Sequence, residues 1–173
     1  MKKIEIKENW TEWRKWGFEY LKNELRELKN GDVVIDLGAG EGHYRELYSK
    51  SKYIAVDFAP YDGLDVVANI IEGLPFESNS ADYVILSNVL EHISEPRRVL
   101  AHSLRVLKPG GKILVLVPFM IKIHQAPNDF LRYTNFMLES LFMGFGFASI
   151  KIVESWNIVN IANTTRRAYF STA

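Results

Sequence analysis

Residues 33–42 read Val-Val-Ile-Asp-Leu-Gly-Ala-Gly-Glu-Gly. A short β-branched run closing on Asp36 hands over to a loop with glycine at 38, 40 and 42. β-Branched residues favour extended backbone; glycine turns tightly and lets a ligand approach with no Cβ in the way. The predicted next element is a helical stretch near His43–Tyr48, whose first N–H groups would lack intrahelical partners. In an open parallel sheet, ligands bind at the carboxyl end of the strands, where this loop falls. A lone glycine loop is also an ordinary tight turn, so its surroundings decide between the two readings.

Outward from this loop, Tyr53–Asp57 is a second predicted strand, Leu64–Ala68 a weaker third and Asp82–Ser87 a fourth. Lys112–Pro118 is a fifth, so apolar that it must be covered on both faces. Asn9 and Glu12 have capping-box spacing, and Trp10, Trp13, Gly17, Tyr20, Leu21, Leu25 and Leu28 follow at helical intervals. Lys29-Asn30-Gly31 reads as that helix's stop. Ser94-Glu95-Pro96 opens another helix, turning Val99, Leu100, Ser103, Leu104 and Leu107 inward, and Pro109-Gly110-Gly111 ends it. Thr134 caps a helix through Phe145, Gly146 leads into a sixth strand over Phe147–Val153, and Thr165–Thr172 would be a seventh. The alternation predicts an α/β, Rossmann-like, doubly wound, mostly parallel sheet of six or seven strands with helices on both faces. One domain over 1–173 is expected: an N-terminal helix in 1–30, a ligand-binding core in 32–120, and a substrate-side loop, helix and last strands in 121–173.

Composition narrows the partners. Apolar residues make up 47% and charged residues 24% of 173, an ordinary globular balance. Lys+Arg and Asp+Glu stand at 21 each, so no global field draws in nucleic acid or an anionic membrane. The absence of cysteine excludes disulfides, thiolate metal sites and cysteine nucleophiles. No apolar run is long enough to span a bilayer and the first residues carry no signal-type apolar stretch, so the reading is a cytoplasmic protein without membrane insertion. The four histidines show no metal-ligand spacing, and no metal is expected.

The glycine spacing is Gly-x-Gly-x-Gly with an aspartate two residues upstream, and Asp57 closes the second strand where a carboxylate can accept bonds from both hydroxyls of a ribose. Asp57 could also cap a turn before Pro60. With Leu-Pro-Phe (74–76), Ala-Asp-Tyr-Val (81–84), Asn-Val-Leu-Glu-His-Ile (88–93) and Leu-Lys-Pro-Gly-Gly (107–111), the chain resembles the class I S-adenosylmethionine-dependent methyltransferases, in the small-molecule "type 11" subgroup. The resemblance runs from about Val33 to Phe119. It implies that Asp36 and the backbone of Gly38, Ala39 and Gly40 hold the methionine end of S-adenosyl-L-methionine. It further implies Asp57 on the ribose, Phe58 against the adenine, Asn69 and Ile70 near the adenine edge, and Ser87 and Asn88 flanking the sulfonium.

Histidine is the residue best suited to moving protons near neutrality, which makes His92 a candidate base. The Leu-Glu-His-Ile piece also occurs in relatives with different substrates, so a structural role for Glu91 and His92 stands beside the catalytic one. His124-Gln125-Ala126-Pro127-Asn128-Asp129-Phe130-Leu131-Arg132-Tyr133-Thr134 follows the fifth strand and should overhang the cofactor, with His124 as the second candidate base. A similar segment occurs in a bacterial and archaeal subset tied to surface-glycan metabolism. The same segment could instead be a loop held by Asp129 and Arg132. A stripe such as Trp10, Trp13 and Trp16 belongs more often to a core than to a pocket. The implied activity is methyl transfer to a small-molecule or glycan-type acceptor, such as a sugar or glycan precursor, by in-line displacement. The rivals are a non-catalytic cofactor-binding subunit and an NAD-dependent dehydrogenase. Many relatives carry a longer segment after the sixth strand, so a second subunit could complete the site by oligomerisation.

Overall fold

The computed structural model describes residues 10–42, 44–147, 149–157 and 161–169. Helix α1 (Glu12–Glu24) precedes strands β1 (Val33–Leu37), β2 (Lys52–Asp57), β3 (Val66–Val67) and β4 (Ala81–Ser87). Helix α2 (Pro96–Val106), strand β5 (Leu107–Pro118), helix α3 (Asn135–Met143) and strands β6 (Ser149–Asn157) and β7 (Ile161–Tyr169) follow. Five parallel strands lie in the order β3-β2-β1-β4-β5, and the backbones of β7 and β6 extend the β5 edge antiparallel into a sheet of seven. The strand order reverses between β1 and β4, and such a switch point opens a crevice at the strands' carboxyl ends.

Side chains alternate across each strand, so one strand serves two cores. Ile35 and Leu37 of β1 join Val84 and Leu86 of β4 beneath Val99 and Leu100 of α2 and Leu138 and Phe142 of α3. Val34 of β1 faces the other way, with Ala55, Ile85 and Leu114, beneath Tyr20, Leu21 and Leu25 from α1 and the turn after it. Helices therefore cover both faces. Phe18 and Leu21 are all but fully buried, and at about 1.5–3 kcal/mol per buried side chain they seat α1 firmly over the crevice side of β1.

Several boundaries differ from expectation, each for a local reason. Thr11, not Asn9, caps α1, its hydroxyl accepting the Arg14 N–H at 3.3 Å; Asn9 lies outside the described residues. The helix ends at Glu24 rather than near Leu28, because Leu25 leaves helical geometry and two reverse turns carry the chain to Gly31 at φ +88°. The stretch after the glycine loop is a single 3₁₀ turn, Arg45–Tyr48, in place of an α-helix. Strand β5 begins at Leu107, five residues before the predicted Lys112. Leu107 is already extended and pairs with Ala81, and Pro109-Gly110-Gly111 forms an irregularity inside the strand before Lys112 resumes pairing with Tyr83. Gly111 is required there, since a Cβ would stand 2.8 Å from the Lys108 carbonyl. Helix α3 does begin at the Thr134 cap but stops at Met143, and the predicted end of the seventh strand at Thr172 lies outside the described residues. Among the described residues, no helix is long and apolar enough to cross a membrane.

Candidate active site

A cavity of about 230 Å³ opens at the carboxyl ends of β1 and β4, lined by Arg14, Asp36, Gly38, Ala39, Gly40, Tyr44, Ser87, Asn88 and Gln125. Six of these are residues the sequence assigned to a cofactor. Arg14, Tyr44 and Gln125 were not foreseen: they come from α1, the turn after Gly42 and the segment after β5, and no sequence spacing links them.

The glycine loop is built by packing as much as by ligand access. At Gly38, φ is +73° and a Cβ would collide with the Val89 side chain. Its amide and that of Ala39 donate to the Val56 carbonyl at 2.8 and 3.1 Å, and the Gly40 amide donates to Asp57 Oδ2 at 2.8 Å. These amides are thus engaged within the fold, and the short 3₁₀ turn beyond supplies no helix terminus to take an anion. Arg14 supplies the positive charge on the cavity wall instead. Gly40 leaves the wall bare, since no atom lies within 4 Å of where its side chain would begin.

Asp36 is buried, and the Tyr53 hydroxyl donates to its Oδ2 at 2.7 Å. Burial pushes its carboxyl up to about 7, against the lowering effect of the Tyr53 bond. Ser87 Oγ is buried with no hydrogen-bond partner. Asn88 adopts φ +57°, and the indole N–H of Trp13 donates to its Oδ1 at 2.9 Å, tying α1 to the end of β4. Trp13 and Trp16 stack and pack on the core beneath α1, so Trp13 serves core and cavity rim together.

The other expected cofactor residues stand outside this cavity. Asp57 is buried, with Oδ1 accepting from the Phe58 amide at 2.7 Å and Oδ2 from Gly40; each oxygen keeps a further lone pair. The Phe58 ring is 73% exposed, bare for a planar partner. The Asn69 side chain bonds within its own turn, where its Oδ1 accepts from the Ile71 amide at 3.1 Å and its Nδ2 donates to Glu72 at 2.9 Å. Ile70 is a core residue.

His92 and His124, 32 positions apart in sequence, lie with ring centroids 4.7 Å apart. His92 Nδ1 is 2.6 Å from the Asn128 carbonyl, and burial lowers the pKa of its imidazole. The segment 124–134 is fastened from within. Arg132 donates to both oxygens of Asp129 at 2.6 and 2.9 Å and holds that carboxyl well below its ordinary range, while Asp129 Oδ2 also accepts the His124 amide at 2.8 Å. The amides of Phe130 and Leu131 donate to the Glu91 carbonyl, and the Tyr133 hydroxyl to that of Leu90. The expected ion pair therefore occurs, and Gln125 of the same segment lines the cavity. The Glu91 carboxyl is wholly buried, which pushes it up to about 8.

Residues 35–115 match the family model described as "Methyltransferase domain". A demethylmenaquinone methyltransferase of Renibacterium salmoninarum is 36% identical over 96 residues, 49% of this chain and 40% of that protein. The ubiquinone/menaquinone biosynthesis C-methyltransferase UbiE of Haemophilus ducreyi is 31% identical over 109 residues, 51% of this chain and 42% of that protein. The chain thus spans about two-fifths of the length of these relatives. An uncharacterized protein of Methanocaldococcus jannaschii is 26% identical over 168 residues, covering 83% of this chain and 81% of its own. Among solved structures, a SAM-dependent methyltransferase from Aquifex aeolicus superposes with TM-score 0.69 at 21% identity, over 88% of this chain and 89% of that one. The phosphoethanolamine N-methyltransferase 2 of Haemonchus contortus does so with TM-score 0.73 at 15% identity, over 91% and 52%. The sheet order, the glycine loop and the family match, which covers just under half of the chain, make residues 35–115 similar to the core of a methyltransferase domain.

Proposed function

We propose that the chain transfers the methyl group of S-adenosyl-L-methionine to a small-molecule acceptor in the crevice at the β1–β4 switch point. The observation that carries this reading is the cavity itself: a buried acid, a cation, an unpartnered Ser87 hydroxyl and a bare glycine backbone converge on its wall. Asp36 and Arg14 suit the ammonium and carboxylate of the methionine end, and Ser87 and Asn88 would flank the sulfonium. Asp57 would take the ribose through its remaining lone pairs and Phe58 would face the adenine. Asn69 and Ile70 belong at the edge of that subsite, because the Asn69 amide is already held by its own turn. The bound cofactor supplies an electrophilic methyl group, so the protein itself must provide alignment, exclusion of water and removal of the acceptor's proton. His124, held by Asp129 and next to cavity-lining Gln125, is the proposed base, with His92 beside it.

Six of the exposed large apolar side chains lie in or beside the segment 124–134: Phe119, Met120, Ile123, Phe130, Phe136 and Met137. This favours an acceptor with an apolar body and an ionisable ring hydroxyl, the chemistry the names of the quinone-methylating relatives imply, over a sugar or glycan precursor. The test is formation of S-adenosylhomocysteine against a panel of short-tailed hydroxyquinols, catechols and nucleotide sugars. Turnover on the aromatic hydroxyl compounds is expected. His124→Asn should slow it by about 10²–10⁴ with cofactor affinity nearly intact. Turnover on the sugars alone would overturn the acceptor, and bound cofactor with no turnover on any acceptor would point to a non-catalytic subunit. Preference for NAD would restore the dehydrogenase.

A further inference from the structure

Glu91, His92 and His124 place one carboxylate oxygen and two imidazole nitrogens within 4.8 Å of one another. We infer that they form a binding site for a late first-row divalent cation such as Zn²⁺, on the acceptor side of the cofactor crevice.

The Glu91 side chain is 0% exposed, and neither of its oxygens has a hydrogen-bond partner. A buried carboxylate without a donor is costly unless a positive charge answers it. The Arg132 guanidinium, whose charge also acts on Glu91, makes its hydrogen bonds to Asp129 and to the backbone carbonyls of Leu131, Ile121 and Lys122. What faces Glu91 instead is His92 Nε2, also buried and unpartnered, 3.8 Å from Oε1. A buried carboxyl and a buried imidazole nitrogen facing each other without hydrogen-bond partners, with a third ring beside them, are an arrangement that a cation, displacing the carboxyl proton, relieves.

The outer contacts agree. His92 Nδ1 lies 2.6 Å from the Asn128 carbonyl, which can only accept, so Nδ1 carries the hydrogen and Nε2 presents its lone pair inward. His124 Nδ1 lies 3.3 Å from both Asp129 Oδ2 and the Lys122 carbonyl, leaving its Nε2 as the acceptor. A ligating histidine is typically oriented in this way, its second nitrogen donating to a carbonyl or carboxylate. Two imidazoles and one carboxylate suit zinc and its first-row neighbours, and are a poor set for magnesium or calcium. Ligand atoms around a tetrahedral zinc stand about 3.4 Å apart at bond lengths of about 2.0–2.2 Å, so side-chain rotations must draw these atoms together by up to about 1.4 Å. Three protein ligands leave a coordination position for an acceptor oxygen; with the cation in place His124 ligates rather than acts as the base, and the cation would lower the acceptor hydroxyl's proton affinity instead. That last role rests on the proposed methyl transfer; the binding site itself does not. It also explains why sequence spacing concealed the site, since His124 arrives from the far side of α2 and β5.

The experiment is titration of the tag-free, chelator-stripped chain with Zn²⁺ by calorimetry and with Co²⁺ by visible absorption. One ion per chain is expected, with cobalt bands of low coordination number. Glu91→Gln and His124→Asn should each weaken binding by 10-fold or more. His102→Asn, whose ring faces the Ile71 carbonyl, should leave it unchanged. Circular dichroism of each variant checks that it has folded. No binding by the wild type, or equal binding by the Glu91 and His124 variants, would overturn the site. Bound cation in a chain that methylates nothing would leave the site standing and overturn the proposed function. Methyl transfer unaffected by chelation, with no cation bound, would do the reverse.

Discussion

Asp36 ends the residue chain Tyr48–Tyr53–Asp36: two stacked rings, 4.7 Å apart, and one hydroxyl donating to the buried carboxyl. Its proton affinity is raised by burial, with about 7 in the folded state against 3.8 for an ordinary aspartate. The folded chain therefore holds more protons than the unfolded one between these values, and stability must fall as pH rises from about 4 to about 7, then level off. The difference corresponds to an effect on the order of 4 kcal/mol. Thermal or urea unfolding followed from pH 4.5 to 8 should show this slope, and Asp36→Asn should flatten it and raise stability most at pH 8. A cationic ligand group beside Asp36 favours the ionised form, so affinity for S-adenosylhomocysteine should rise through pH 7 in the wild type and lose that dependence in the variant. Asp36 was legible in the sequence as a residue of the crevice, because it stands at the carboxyl end of the strand that feeds the glycine loop. The Tyr53 bond and the perturbed acidity were not, since both depend on the neighbouring strand's register, Asp36 against Ala55.

At the scale of elements, α1 does more than cover one face of the sheet. Phe18, Leu21 and Leu25 anchor it, and Trp13 and Arg14 carry its first turn to the cavity rim. Trp13→Phe keeps an aromatic ring on the core but deletes the N–H that holds Asn88 Oδ1. A net loss of about 0.5–1.5 kcal/mol in stability is expected, with a larger relative loss of cofactor affinity as Asn88 is freed at the wall. Calorimetry and a melting curve on the one variant separate the two; unchanged affinity would make α1 a core helix only. The apolar periodicity of α1 was readable, but which face met the ligand was not, because the Trp13–Asn88 contact joins residues 75 positions apart. The helix anticipated after Gly42 shows the opposite case. Local pattern suggested a helix, yet the loop amides find their partners on β2, leaving one turn of 3₁₀ geometry.

For the whole molecule, the cofactor reading becomes a linkage statement: a ligand bound only by the folded state adds RT ln(1 + [L]/Kd), about 2.7 kcal/mol at a hundredfold excess over Kd. For a domain of this size that should raise the melting temperature by roughly 6–10 °C. S-Adenosylhomocysteine is expected to give the shift and NAD none; the converse in a thermal-shift titration would reverse the cofactor assignment. By itself the sequence determined the parallel core, since β-branched runs, the Asp36–Gly42 loop and the strand-ending Asp57 are local patterns with few alternative geometries. It also placed His124 in the segment that follows the carboxyl end of β5, whose Gln125 lines the cavity. Only the tertiary structure decided the rest. Arg14, Tyr44 and Gln125 reach the cavity from three elements, Asn69 spends its amide on its own turn, and Glu91 meets His124 across two elements of chain. Those are long-range juxtapositions fixed by how the layers pack, and side chains that converge through packing leave no periodic trace along the chain.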